Sequence, residues 1–219
     1  AAGPVASLPA LMEYLETVQI EDDLQNGPFR LPVQFVNRPN LDFRGFCGTV
    51  ASGEIRQGDA ITALPSGKSA VVKSVHTPAG EEDRAFVGQA ITVTLDREID
   101  ISRGDMIVRE NNVPTVEQEF DVMLCWMNEK KMVSRGKYIL RHTSRECKCI
   151  IKEAKYKLNI NTLQRITDDV EIGLNDIGRV TIRTTVPLFF DSYRKNRITG
   201  SIILVDEATN ETIAAGMIV

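Results

Sequence analysis

The feature that most constrains this chain is a long series of short β-prone segments separated by turn residues. After residue 28, segments rich in Val, Ile and Thr alternate with clusters of Gly, Pro, Asn and Asp, a texture typical of strands joined by tight turns. The candidate strands are 30–37, 45–55, 59–65, 68–77, 88–96, 105–109, 116–126, 137–142, 146–158, 178–189, 199–206 and 211–219. Many short antiparallel strands at this spacing predict closed barrels, because closure removes exposed sheet edges.

The chain has enough residues for two small domains. Its length is 219 residues, and the segment 110–114, Glu-Asn-Asn-Val-Pro, has the composition of a linker. We therefore predict a first antiparallel β-barrel at 28–112 and a second at 113–219. Residues 1–27 are predicted to hold one short helix and a linker, because apolar residues recur there at helical spacing. These residues are Leu8, Leu11, Met12, Leu15 and Val18.

Charge and cysteine content exclude several classes of protein. The net charge is −4, so a broad electrostatic footprint for nucleic acid is absent. No apolar run approaches the roughly 18 residues of a membrane span. The four cysteines, in a chain with no export signal, are expected to be reduced thiols. We expect a cytoplasmic chain that binds neither nucleic acid nor membrane.

Two short motifs resemble nucleotide-binding signatures but lack their context. In a phosphate-binding loop, a glycine would stand at Thr62 and a helix would follow Gly67–Ser69, whereas 69–75 is β-prone. We therefore interpret Pro65–Gly67 as a hairpin turn with an exposed lysine. Asp42–Gly45 matches the loose Asp-x-x-Gly pattern and is assigned to a turn. No Asn-Lys-x-Asp guanine-binding motif occurs in the sequence.

The residues capable of catalysis or metal binding form no recognisable set. Cys147 and Cys149 lie two apart, on one face of a predicted strand, and no second pair completes a zinc site. We interpret them and Cys125 as core or core-edge side chains. His76 and His142 have no nucleophile beside them in a triad-like context. The sequence therefore predicts no catalytic, cofactor-binding or metal-binding residue in this chain.

Two loops combine aromatic and basic residues, a composition typical of partner-binding surfaces. They are 37–45, in which Phe43 is expected to be exposed, and 191–200. The alternative interpretation of each loop is a connection whose charges face water. The candidate contact residues are Arg38, Asp42, Phe43, Arg44, Tyr193, Arg194 and Arg197.

Four stretches carry a resemblance to a known family. They are 11–18, 31–53, 98–105 and 190–218, with NRPNLDFRG in the second and the Tyr-Arg and Thr-Gly pattern in the last. The chain resembles the large, GTP-binding subunit of bacterial ATP sulfurylase (sulfate adenylyltransferase subunit 1). That family is related to elongation factors Tu and 1A. Generic elongation factors share the barrel pattern but not these loops.

The resemblance implies a mainly β fold made of the family's second and third domains. It places a GTPase domain, with its GTP and Mg²⁺, ahead of residue 1. It also implies a heterodimer with a smaller catalytic subunit, which converts ATP and sulfate into adenosine 5′-phosphosulfate and pyrophosphate while GTP hydrolysis drives the reaction. The chain itself would be a non-catalytic part of that nucleotidyltransferase. Whether a kinase domain follows residue 219 stays open.

Two alternative functions follow from the same sequence. The barrels of a translation elongation factor would bind aminoacyl-tRNA through a pocket and a basic strip. A standalone β-barrel hydrolase would need a nucleophile and base, which the sequence does not offer.

Overall fold

The computed structural model describes residues 12, 13, 15, 16, 24–40 and 42–219. The described residues form 17 strands. The short helix predicted from the apolar spacing of 8–18 lies largely outside the described residues and is not borne out. The strands are β1 (Arg30–Pro32), β2 (Phe35–Asn37), β3 (Gly45–Thr49), β4 (Glu54–Arg56), β5 (Ala60–Leu64), β6 (Lys68–Thr77), β7 (Gly80–Glu82), β8 (Arg84–Phe86), β9 (Ala90–Leu95), β10 (Met106–Arg109), β11 (Thr115–Trp126), β12 (Lys137–His142), β13 (Arg145–Leu158), β14 (Arg165–Ile166), β15 (Ile177–Phe190), β16 (Ser201–Val205) and β17 (Thr212–Ile218).

The first barrel closes around six antiparallel strands in the order β1-β10-β5-β6-β9-β3. Arg30 closes it, because its amide donates to Ser52 O at 3.0 Å and its carbonyl accepts from the Ala51 amide at 2.8 Å. Strands β2 and β7 pair on the outside with β3 and β6, and β4 pairs with β8. The core is formed by buried residues that include Leu31, Phe46, Ile55, Ile61, Val75 and Val93.

The second barrel also has six strands, in the order β12-β16-β17-β11-β15-β13, and pairing of β12 with β13 closes it. Its core surrounds Trp126, whose indole N–H donates to Lys130 O at 2.7 Å. Cys147 and Cys149 face this core, as predicted. Burial raises the pKa of the two thiols to about 11 and about 12, so they are protonated at neutral pH.

Most predicted strands are confirmed to within two residues, and the differences have local causes. The predicted strand 30–37 is divided, because its first part pairs with β10 and its second with β3. The predicted strand 45–55 is divided near Gly53, which has a φ of 70°. A side chain there would lie 2.7 Å from the Phe29 amide nitrogen. Pro187 lies in the bulge opposite Gln118, where a residue without a backbone N–H is tolerated.

Candidate functional site

The loop 37–45 folds back on the first barrel instead of standing away from it. The Phe43 ring is half-buried and meets the His76 ring edge-on, with centroids 5.9 Å apart. Gly45 makes this possible, because a Cβ there would clash with Thr92 Cγ2 and lie 2.8 Å from Phe43 Cε1. The prediction of an exposed Phe43 is therefore wrong: the missing side chain at Gly45 gives the ring a place on the barrel.

Two arginines of the same loop form ion pairs with the segment after β9. Arg38 Nη2 lies 3.4 Å from Glu98 Oε1, and Arg44 Nη2 lies 3.9 Å from Asp100 Oδ1. The Arg44 guanidinium also sits 5.6 Å from the centroid of the Phe46 ring. Exposed pairs of this kind stabilise a fold by at most about 1 kcal/mol, so they orient the loop without locking it.

A cleft of about 280 Å³ brings the predicted residues of this loop together. Asp42, Phe43 and Arg44 line it, and so does Glu98, the partner of Arg38. Asp96 also lines the cleft. A hydrogen bond from the Val71 amide, and a weaker effect of one from the Arg97 side chain, hold the pKa of Asp96 below its usual value. The cleft therefore carries both basic and acidic groups.

A hydrogen-bonded set of polar side chains also lines the cleft. The Ser74 hydroxyl lies 2.6 Å from the Thr94 hydroxyl and 2.8 Å from His76 Nε2. Sequence analysis did not place a nucleophile beside His76, but this Ser–His pair has the spacing of a nucleophile and its base. Among the described residues, no acidic side chain hydrogen-bonds the His76 ring to orient it, so the pair does not complete a triad.

The loop 191–200 contributes to the junction between the barrels. Asp191 accepts hydrogen bonds from Arg30 Nε and Nη2, each at 3.0 Å, and from the Thr199 hydroxyl at 2.9 Å. The Arg30 side chain is only 2% exposed and also donates from Nη1 to Asn112 O at 2.7 Å. One arginine thus joins the first barrel, the linker and the second barrel.

A buried amide strengthens this junction. Asn196 is 3% exposed, and its Nδ2 donates to Ser52 Oγ of the first barrel at 3.1 Å. Its Oδ1 accepts from the backbone amides of Ile198 and Thr199, so the loop holds the side chain in place. Buried polar groups with all partners present fix a single geometry.

A third contact joins the barrels on the side of β13. Arg145 Nη1 donates to Gly104 O at 3.1 Å and lies 3.5 Å from Asp105 Oδ1. Its guanidinium sits 4.9 Å from the centroid of the Phe189 ring. Phe189 of the second barrel is buried in an apolar cluster with residues of the first, which are Leu64, Met106 and Val108.

The predicted residues of loop 191–200 are not those that form the junction. The Tyr193 side chain is half-buried and its amide donates to Ile218 O, whereas Arg194 and Arg197 are exposed. Sequence analysis missed five residues that form the junction, which are Arg30, Ser52, Arg145, Asp191 and Asn196. The only signal for any of them was that the last two lie in a loop already singled out for its composition.

A histidine buried beneath loop 191–200 predicts that the stability of the fold depends on pH. His142 is 2% exposed and its Nε2 donates to Thr199 O at 2.7 Å. Burial lowers its pKa; the Thr199 hydrogen bond and Asp191 oppose this, and Arg145 adds to it. Because the folded pKa lies below the unfolded value, the unfolded chain binds the proton first as pH falls.

We expect the free energy of unfolding to fall as pH drops below about 6.5, the unfolded value for histidine. The fall should continue down to the lower, folded pKa of His142. Urea unfolding at several pH values measures it. In His142→Gln, which keeps a donor but not the titrating group, the fall should be smaller. An equal fall in both proteins would contradict the assignment.

The described residues offer neither a cluster of metal ligands nor a membrane-spanning helix. No group of three or more His, Cys, Asp or Glu in that part of the chain is placed to hold a metal ion. No helix that the structure describes is long and apolar enough to cross a membrane.

Comparison with known proteins finds sequence similarity over nearly the whole of this chain. A family model described as GTP-eEF1A C-terminal domain-like matches residues 119–219. Sulfate adenylyltransferase subunit 1 of Bacteroides thetaiotaomicron is 46% identical over 96% of this chain and 45% of that protein. The bifunctional enzyme CysN/CysC of Rhodopirellula baltica is 50% identical over 95% of this chain and 32% of that protein. The chain therefore spans less than half of the length of these relatives.

Comparison of folds gives a consistent result. The crystal structure of sup35 complexed with GDP superposes with a TM-score of 0.82 at 16% identity. The match covers 95% of this chain and 51% of that one. At this identity the likeness establishes the two-barrel fold alone.

Proposed function

Since this chain is homologous over nearly its whole length to the sulfate adenylyltransferase subunit 1 family, we propose that it transmits the state of a GTPase to a catalytic sulfurylase subunit. In this proposal GTP and Mg²⁺ bind outside the present chain, which supplies no catalytic residue. The complex joins ATP and sulfate into adenosine 5′-phosphosulfate and pyrophosphate, and GTP hydrolysis drives that step. The homology favours this function over an aminoacyl-tRNA-binding elongation factor.

The observation that supports the proposal is the junction between the barrels. Coupling two sites takes an interaction whose two arrangements differ by about 1–3 kcal/mol, and a loose connection would dissipate such a difference. Arg30, Asp191 and Asn196 join the barrels through buried hydrogen bonds, so a displacement applied to one barrel moves the other. The two barrels then act as one rigid body.

The contact surface of that body is proposed to include the cleft beside loop 37–45. Phe43 and Arg44 form one wall, where an apolar ring lies next to a guanidinium that is still partly exposed. Such a pair anchors a partner by burying the ring and pairing the charge. The exposed Arg194 and Arg197 are proposed as a second contact, on the outer side of loop 191–200.

Replacing Phe43 and Arg44 with alanine in the full-length subunit should weaken the stimulation of adenosine 5′-phosphosulfate synthesis by GTP. Losing one coupling contact of about 1–3 kcal/mol corresponds to roughly a fivefold to hundredfold loss. The affinity for GTP should stay nearly constant, because neither residue belongs to a nucleotide site. Steady-state synthesis with and without GTP, together with nucleotide titration, gives both quantities.

The first barrel offers a matched control. Arg84 and Phe86 also present an exposed arginine and a part-exposed ring, on β8 and away from the cleft. The double alanine variant at these positions should keep full stimulation. If the Phe43 and Arg44 variant also keeps it, loop 37–45 is an ordinary connection and the coupling surface lies elsewhere.

A further inference from the structure

We propose that the second barrel carries a binding site for a small organic anion with a phosphate or sulfate group, between Lys137 and Arg183. This site is separate from the cleft beside loop 37–45 and does not depend on the proposed coupling function. It lies on the outer face of β12, β13 and β15.

Strand register places the two basic residues on either side of one apolar residue. Ile150 of β13 is paired with Lys137 of β12 on one side and with Arg183 of β15 on the other. Residues in register share a face of the sheet, and two strand spacings separate the flanking residues by about 10 Å. Their flexible side chains can therefore converge on one anion above Ile150.

These two cations differ from the other basic residues on the strands of this barrel. Within the described part of the chain, every other strand-borne Lys or Arg there has an acidic or aromatic partner. The pairs are Arg141–Glu146, Arg145–Asp105, Lys148–Glu207, Lys152–Glu119, Lys155–Asp121, Lys157–Asp169, Arg165–Tyr156 and Arg179–Asp121. Lys137 and Arg183 alone have no such partner among these residues.

The acidic groups beside them are engaged by other lysines. Glu119 lies opposite Arg183 in register, but its carboxylate accepts a hydrogen bond from Lys152 at 2.6 Å. Glu207 is engaged with Lys148 at the edge of the same cleft. The positive charge over Ile150 is thus left for a ligand.

The shape of the site fits a small molecule that has both an anionic group and an apolar part. The cleft holds about 560 Å³, within the range of about 300–1,000 Å³ typical of small-molecule sites. Its apolar floor is the half-buried Ile150, which lies on the same face as the two cations, and the Gln118 amide also lines the cleft. An oxyanion would accept charge-assisted hydrogen bonds from Lys137 and Arg183 while its organic part covers the floor.

Titration of the isotope-labelled chain with adenosine monophosphate tests the site by NMR. We expect saturable shifts centred on Ile150, Cys149 and Thr185, with a dissociation constant no weaker than about 1 mM at low salt. Inorganic phosphate should shift the same amides but bind more weakly, because it cannot cover the apolar floor. Shifts centred elsewhere, or no saturation with either probe, would overturn the proposal.

Replacing Lys137 and Arg183 with alanine should weaken adenosine monophosphate binding at least about tenfold, since two charged donors are lost. Both side chains are exposed and unpaired, so the melting temperature should change little. The control is Lys68→Ala with Arg84→Ala, which removes the same charge from exposed positions of the first barrel. If both double variants weaken adenosine monophosphate binding equally, the loss of affinity comes from net charge alone, and a defined site is refuted.

Discussion

Replacing Arg30 with alanine is expected to lower the free energy of unfolding by about 3–5 kcal/mol, the cost of breaking one partner out of a buried ion pair. The Arg30 side chain is 2% exposed and that of Asp191 is 11% exposed, so the pair is shielded from solvent. The substitution leaves the Asp191 carboxylate with the Thr199 hydroxyl alone and leaves the Asn112 carbonyl without its donor.

The same variant should also separate the unfolding of the two barrels. The chain has a single tryptophan, Trp126, which is in the second core, so its fluorescence reports that barrel alone. Far-UV circular dichroism reports both. In the parent chain the two urea transitions should coincide, and in Arg30→Ala they should diverge, because the junction no longer makes the barrels unfold together.

An exposed arginine provides the control for this prediction. Arg97 pairs with Asp96 on the surface, and its replacement by alanine should cost at most about 1 kcal/mol. In a double-mutant cycle, Arg30→Ala and Asp191→Ala should cost clearly less together than the sum of the two. Additive costs, or an effect of Arg30→Ala no larger than that of Arg97→Ala, would show that the pair does not hold the junction.

The strands could be predicted because their signals are local. Alternating apolar residues and turn residues at the strand ends carry the information, and strands such as β6 and β12 begin and end where the sequence predicts. The strands β7, β8 and β14 were missed because they are two or three residues long and mostly exposed. Segments this short have no periodicity to detect.

The junction could not be predicted because its partners are distant in sequence. Arg30 lies 161 positions from Asp191, and in the sequence it is one arginine in a β-prone segment. Only closure of both barrels brings loop 191–200 over it. The burial of Phe43 could not be predicted for a related reason, because it depends on Gly45 and on His76 of another strand. Amino-acid composition identified loops 37–45 and 191–200, but it did not identify which of their side chains are buried.

Gly200→Ala is expected to destabilise the protein, because loop 191–200 packs its own backbone against Gly200. A Cβ at this position would clash with Tyr193 Cα and would lie 2.5 Å from the Tyr193 amide nitrogen and 2.7 Å from Asn196 O. All three are backbone atoms, so no side-chain rotation relieves the contact. We expect a loss of about 3 kcal/mol in unfolding free energy, at the upper end of the range for overpacking.

The expected loss has a specific structural route. The Gly200 amide donates to Asn196 O at 2.8 Å, and the added methyl would push these two segments apart. The hydrogen bond from the Asn196 side-chain amide to the Ser52 hydroxyl would then break, so the barrels would lose one of their buried contacts. The variant should therefore show the same divergence of fluorescence and circular dichroism transitions that is expected of Arg30→Ala. Gly173→Ala is the matched control, because the nearest atoms to a Cβ there are 3.7 Å away, which is ordinary packing distance. If the two glycine variants unfold at the same urea concentration, the loop tolerates the methyl by moving, and its conformation does not set the junction.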